Sequence, residues 1–444
     1  MTDPATLITN IGELMTQDAE HRVLRDAAIV LEGERITWIG TARNAPAADS
    51  RYDAGGRACL PGWVDSHTHL VFAGDRTAEF EARMAGESYA AGGISVTVEA
   101  TRRASDEELG ELVAARAAEA AASGTTCLET KTGYGLDVAE EARHARIAAA
   151  TADEVTFLGA HLVPQGWAAD DYVRLVTGPM LEAVRPWVGW ADVFCETGAF
   201  TPDQSREVLR ACRDAGLGLR VHGNQLGPGE GVRLAVEEGA ASVDHVNHLT
   251  SADIDALAGS WSGWAGGSGT VGSGSRGTGP RGTGLRGTGL RGTVATCLPA
   301  CDLSTRQPLA PARQLLDAGV PVAIASNCNP GTSYTTSMAF CVATAVLQMG
   351  LTVHEAVRAA TYGGALALHR EQSTDDGGSP AVGALAAGAS PSGPLAAGAL
   401  AVGSLVVGHR ADLQLLDAPS ATHLAYRPGM ELTHAVWRRG RRLR

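Results

Sequence analysis

The stretch Leu60-Pro-Gly-Trp-Val-Asp-Ser-His67-Thr-His69 decides how the rest of the chain is read. A strand alternates its side chains, so two histidines two residues apart at its end point the same way. His67 and His69 so placed suit chelation of a divalent ion. The apolar run before them, Ala58–Val64, is the first of eight. The others are Thr125–Thr130, Val155–Ala160, Ala191–Cys195, Leu217–Val221, Ala241–Asp244, Thr293–Leu298 and Val320–Ser326. Helical segments such as Glu107–Ala122, Pro202–Ala215 and Ala252–Ala258 lie between most of them. Eight strands with crossover helices are the count for a (β/α)8 barrel, whose active site opens at the strands' C-terminal ends.

Later runs end in polar residues of the kind such a mouth needs. The fifth closes on Leu219-Arg-Val-His222, the sixth on Ser242-Val-Asp-His245 and the eighth on Ile324-Ala-Ser-Asn327-Cys-Asn329-Pro-Gly331. The chain ends supply different material. Ala27–Glu32 and Arg35–Ile39 flank Gly33 as a hairpin, and Ala411–Leu416 with Thr433–Arg438 are matching strands near the C-terminus. The expected fold is α/β: a TIM-like barrel with a small composite β domain built from both termini. Its expected divisions are 1–59, a barrel over 60–370, a low-complexity linker over 371–402 and a closing β piece over 403–444.

Composition narrows the function. The 444 residues carry 36 basic and 49 acidic side chains, a net charge of −13, which argues against nucleic-acid or anionic-membrane partners. The start shows no signal peptide, and no apolar run is long enough to span a bilayer. Eight scattered cysteines without CxxC pairs read as reduced thiols of a cytoplasmic protein. Of 55 glycines, 14 fall in residues 259–292 and 8 in 377–408, two segments with a five-residue period. Both read as expanded loops on an otherwise ordinary globular chain. His144, in the helical run EEARHARIAAA, is expected to face solvent.

With HxH on strand one and His, His and a carboxylate position on strands five, six and eight, the chain resembles the amidohydrolase superfamily. Longer motifs sharpen this: HTHLVFAGDRTAEF, TKTGYGL, LGAHLVP, DVFCETGAF, HGNQ and NCNPGTS together resemble the imidazolonepropionases, hydrolases of histidine degradation. The resemblance implies one Zn2+ or Fe3+ per subunit, with His67, His69, His222 and Asn327 as the ligand positions. Related binuclear enzymes place a carbamylated lysine on strand four. Here strand four reads ADVFCE and the chain's only lysine, Lys131, follows strand two, which favours a single metal. The implied reaction is metal-dependent hydrolysis of 4-imidazolone-5-propanoate to N-formimidoyl-L-glutamate. His245, Gln225 and Asn327 take the catalytic positions. Arg76, Tyr134, His161, Gln225, Asn329, Gly331 and Thr332 take the substrate-binding ones, with Arg76 placed to fork onto the propanoate.

Two positions depart from the family pattern. Asn327 stands where the strand-eight aspartate is usual, and Gln225 where a glutamate is usual. An amide neither carries charge nor accepts a proton from water; Asp244 and Glu196 are the nearby carboxylates that could act instead. Two alternatives follow: a catalytically impaired or silent binding barrel, and another cyclic amidohydrolase or deaminase. The expected partner is a small anionic molecule, with a homodimer allowed.

Overall fold

The structure, a computed structural model, describes residues 4–86, 93–262, 291–373 and 399–444. Most of both low-complexity segments therefore lies outside the described residues. Five strands precede the barrel: β1 Ala5–Met15, β2 Val23–Glu32, β3 Arg35–Thr41, β4 Ser50–Asp53 and β5 Ala58–Pro61. The barrel strands are β6 Trp63–Asp65, β7 Thr125–Lys131, β8 Glu154–Ala160, β9 Trp190–Cys195, β10 Gly218–Gly223, β11 Ser242–His245, β12 Val294–Cys297 and β13 Val322–Ile324. Three more follow: β14 Leu413–Leu416, β15 Thr433–Arg438 and β16 Arg441–Arg442.

These strands form two eight-stranded sheets. One runs β16-β15-β14-β5-β1-β2-β3 with β4 on β1, so both chain ends meet in it through β5 and β14. Its own apolar core gathers Ile8, Ile29, Leu60's neighbour Cys59, Leu413 and Trp437. The other runs β6 to β13 in sequence order with parallel pairing throughout. Strands β7, β8 and β9 are buried along their whole length, as expected where helices cover the outer face of a parallel sheet.

The expected first strand, Ala58–Val64, is in fact two. Ala58–Pro61 pairs into the terminal sheet and Trp63–Asp65 opens the barrel, with Gly62 between them. A Cβ at Gly62 would lie 2.2 Å from Thr126 Oγ1, so the chain passes from one sheet to the other where only glycine fits. His67 and His69 lie just past β6, not within it. Their backbone still closes the barrel: Asn327 N donates to His67 O at 3.0 Å and His69 N to Cys328 O at 2.9 Å.

Helix starts follow legible signals. Ser105 caps Asp106–Ala122, and Thr201 with Gln204 forms a capping box for Pro202–Asp214, with proline in the first turn. Helix Ser251–Ser260 has its own capping box, Thr250 with Asp253. His144 departs from expectation: its ring is fully buried. Helix Val138–Ala149 packs Ala145 and Ala148 into the core, and the neutral imidazole goes in with that face.

Candidate active site

The strand ends of the barrel surround a cavity. It is lined by His69, Arg76, Ile94, Tyr134, His161, Phe194, His222, Gln225, His245, Asn327, Asn329 and Thr332. Ten of these were singled out from sequence; Ile94 and Phe194, apolar walls, carried no signal that distinguished them. His67 lies beneath the cavity, and Gly331 borders it behind Arg76.

Parallel pairing sets the histidines side by side. His222 pairs with Asp244 and Gly223 with His245, so His245 lies one residue further along its strand, and the two rings still meet with centroids 5.3 Å apart. Ligand atoms of His67, His222 and His245 all lie within 4.8 Å of one another. His69 Nε2 is 3.3 Å from His67 Nε2. Sequence reading put His69 and Asn327 in the ligand set and His245 outside it; the compact grouping with His67 and His222 contains His245 and not His69.

The donor set fits a metal ion. His67 Nδ1 is 2.6 Å from Asp244 Oδ2, which fixes that nitrogen as the donor and leaves Nε2 as a lone pair. Burial holds His67, His69 and His245 well below the usual imidazole range, which keeps them in the neutral, ligating form. Buried polar atoms here without a hydrogen-bond partner include His69 Nδ1, His245 Nδ1 and Asn327 Oδ1. Strain gathers in the same place, with φ of +83° at His245, +50° at Val246 and +52° at Asn327. A second grouping of His245, Cys301 and Asp302 is also compact. Its carboxylate is already spent in part, accepting from Ala310 N at 3.3 Å.

The remaining positions differ in how free they are. Arg76 is buried, and its Nε and Nη2 each donate to Glu79 at 2.7 Å. Glu79 thus occupies the bidentate edge expected to fork onto a ligand. Nη1 lies against Gly331, where a Cβ would come within 2.1 Å of it. His161 Nδ1 donates to Gly133 O at 2.8 Å, which leaves Nε2 as an acceptor toward the cavity. Burial lowers this ring to about 4. Its ring stacks on His69 with centroids 5.8 Å apart, and Tyr134 tilts against it at 5.6 Å.

Asn329 is fully engaged in its own loop. Its amide donates to Asn327 O and Thr332 Oγ1 and accepts from Gly331 N and Thr332 N, all within 2.9 Å. Gln225 Nε2 makes only a long contact with Cys301 Sγ at 3.9 Å. The two carboxylates expected to stand in as bases are engaged elsewhere. Asp244 holds His67, and Glu196 accepts from Gln225 N and Leu226 N.

Sequence reading missed the floor of this site. Lys131 does not follow strand two; it ends it, and its side chain is fully buried within the barrel. Asp192 Oδ2 stands 3.0 Å from Lys131 Nζ and 3.0 Å from His222 Nδ1. Burial opposes charge on Asp192, but His222 and Lys131 outweigh it and hold the carboxyl well below its usual range. Burial likewise works against the Lys131 ammonium, and Glu129 and Asp192 reverse the balance. The one available signal was that Lys131 is the only lysine in the chain.

The amidohydrolase family model matches residues 58–387. Over 442 residues the chain is 69% identical to an imidazolonepropionase of Arthrobacter sp. (strain FB24), covering 99% of this chain and 100% of that protein. Imidazolonepropionases of Paenarthrobacter aurescens and Micrococcus luteus are 67% and 62% identical, each covering 99% of this chain and 98% and 99% of their own lengths. The chain belongs to the imidazolonepropionase family. Solved structures show how far the fold extends beyond it. A zinc- and atraton-bound variant of atrazine chlorohydrolase from Arthrobacter aurescens superposes with a TM-score of 0.67 at 17% identity, over 99% of this chain and 95% of that one. A zinc-bound adenosine deaminase from Xanthomonas campestris gives 0.65 at 19%, over 98% and 92%. At those identities the likeness is one of fold. The alternatives of a silent barrel or of another cyclic amidohydrolase gain no support from the imidazolonepropionase relatives. No helix among the described residues is long and apolar enough to cross a membrane.

Proposed function

We propose that the protein hydrolyses 4-imidazolone-5-propanoate to N-formimidoyl-L-glutamate, the ring-opening step of histidine degradation. The observation that carries this reading is one cavity lined by both the imidazole cluster and Arg76. The substrate has matching parts: an anionic tail for the guanidinium, and a cyclic amide for the imidazoles.

His67, His69 and His222 would hold one Zn2+ or Fe3+, with Asn327 Oδ1 as a weak neutral donor. When bound, such an ion acts as a Lewis acid and lowers the pKa of water at neutral pH. The chain's own groups do the rest. Arg76 Nη1 binds the propanoate, while Glu79 keeps the guanidinium plane fixed. His161 Nε2 accepts from a ring N–H, and Tyr134 closes over the ring. Asn329 shapes the loop that brings Thr332 to the substrate rather than binding it by its amide.

Neither Asn327 nor Gln225 can take a proton from the attacking water. With Asp244 and Glu196 engaged, His245 serves as the donor that hydrogen-bonds the ring carbonyl. Such a contact, strengthening in the transition state, is worth about 3–4 kcal/mol.

The test is an assay of metal-loaded protein with freshly prepared substrate, beside Asn327→Asp. Both forms should turn over. The aspartate should raise kcat about tenfold or more, because it adds an anionic ligand and a base. Absence of turnover by both forms with metal bound would overturn the assignment.

A further inference from the structure

Beneath the histidines lies a wholly buried charged cluster: Glu129, Lys131, Asp192 and Asp244. Lys131 Nζ is 3.0 Å from Glu129 Oε1, 3.0 Å from Asp192 Oδ2 and 3.9 Å from Asp244 Oδ2. Each carboxylate passes on to a different part of the site. Asp244 Oδ2 meets His67 Nδ1 at 2.6 Å. Asp192 Oδ2 is 3.0 Å from His222 Nδ1, and its Oδ1 accepts from the His222 backbone N at 3.1 Å. Glu129 Oε2 accepts from Thr68 N at 3.0 Å, the peptide between His67 and His69.

We propose that Lys131 is a positioning residue for the metal site: its one ammonium holds three carboxylates that orient His67, His222 and the His67–His69 backbone together. The inference rests on the metal site proposed above. Three carboxylates this close repel strongly in a buried setting. The ammonium between them turns that repulsion into a fixed arrangement, and the ring nitrogens that face the ion inherit it. Without the ammonium the carboxylates move apart and the imidazoles lose their common aim. Arg220, also fully buried, donates to Ser66 O at 3.4 Å and stacks on Trp190, and among the described residues it forms no ion pair with these oxygens.

The experiment uses the full chain stripped of metal and titrated with Zn2+ and with Co2+, whose visible absorption reports ligand geometry. Lys131→Met should weaken metal binding about 10–100-fold and alter the Co2+ spectrum. Asp192→Asn and Asp244→Asn should each weaken binding too. Combined with Lys131→Met, each should add less than its own single effect, as members of one network do. A folded Lys131→Met with unchanged affinity and spectrum overturns the inference, even if its thermal midpoint falls. If Lys131→Met does not fold, unchanged affinity in both asparagine variants overturns it instead. Failure of the unsubstituted protein to bind either ion would refute the metal site itself, and this inference with it.

Discussion

Arg76 meets the cavity with its charge already shared, because Glu79 holds two of its nitrogens. A tail carboxylate therefore gains a contact from Nη1 alone. A hydrogen bond to a charged group is worth about 1.5–3 kcal/mol, so Arg76→Ala should raise KM about 10–100-fold with a much smaller change in kcat. An analogue lacking the propanoate should bind both forms alike; equal KM for the natural substrate would remove Arg76 from this role. His144 offers a residue-scale prediction away from the site. Burial lowers its pKa from 6.5 to about 3. Below pH 6.5 the unfolded chain takes up a proton that the folded ring refuses. Stability therefore falls as pH drops toward 3, by up to about 1.4 kcal/mol per unit from this residue. In urea unfolding from pH 7 to 5, His144→Leu should flatten that decline; an unchanged slope would assign the acid sensitivity elsewhere. Sequence made His67, His69, His222 and His245 legible because each lies at or just past the C-terminal end of a strand with recognisable periodicity. His144 was not legible, because a neutral imidazole and a charged one are spelled alike. Asp192 and Lys131 were hidden because which face of a fully buried strand points inward depends on the closed barrel.

At the scale of elements, the decisive feature is the change of sheet at Gly62. An apolar run of seven residues, Ala58–Val64, reads as one strand because periodicity carries no record of which sheet each half joins. The structure separates them at a point where a Cβ would meet Thr126 Oγ1 at 2.2 Å. Gly62→Ala should therefore cost about 1–3 kcal/mol through overpacking, measurable as a lower thermal midpoint. A stable Gly62→Ala protein would show that Thr126 can yield. Since β6 leads directly into His67, the same variant should also weaken metal binding. Helix starts, in contrast, were legible to within a residue, because capping side chains act locally and owe little to tertiary contacts.

Across the whole molecule, the two sheets divide the chain by location rather than by order. The terminal sheet needs β5 and β14, some 350 residues apart, so composition at the two ends could suggest the pairing but not its register. The flanks of both low-complexity segments are pinned. Thr293 N donates to Ser260 Oγ at 3.1 Å and Trp261 Nε1 to Thr293 O at 2.9 Å on either side of residues 263–290. Ala401 N donates to Ser373 Oγ at 3.1 Å, and Val402 N to Arg370 O at 2.8 Å, on either side of residues 374–398. The first pair of flanks sits at the entry to β12, the barrel end away from the cavity. Replacing 263–290 by a short Gly-Ser link should leave metal affinity unchanged and alter stability by no more than about 1 kcal/mol. Loss of metal in that deletion would place the segment against the site.

Those pinned flanks also have a hereditary side. Repeated codons gain and lose units when DNA is copied, and most proteins reject the result because the added residues must be accommodated somewhere. Here the described residues on the two sides of each tract are hydrogen-bonded to one another. Doubling such a tract costs only about 0.6 kcal/mol in closure entropy, so copying errors in these two genetic tracts would pass almost unselected. The same spots are natural places to splice in a reporter or an affinity label without touching catalysis.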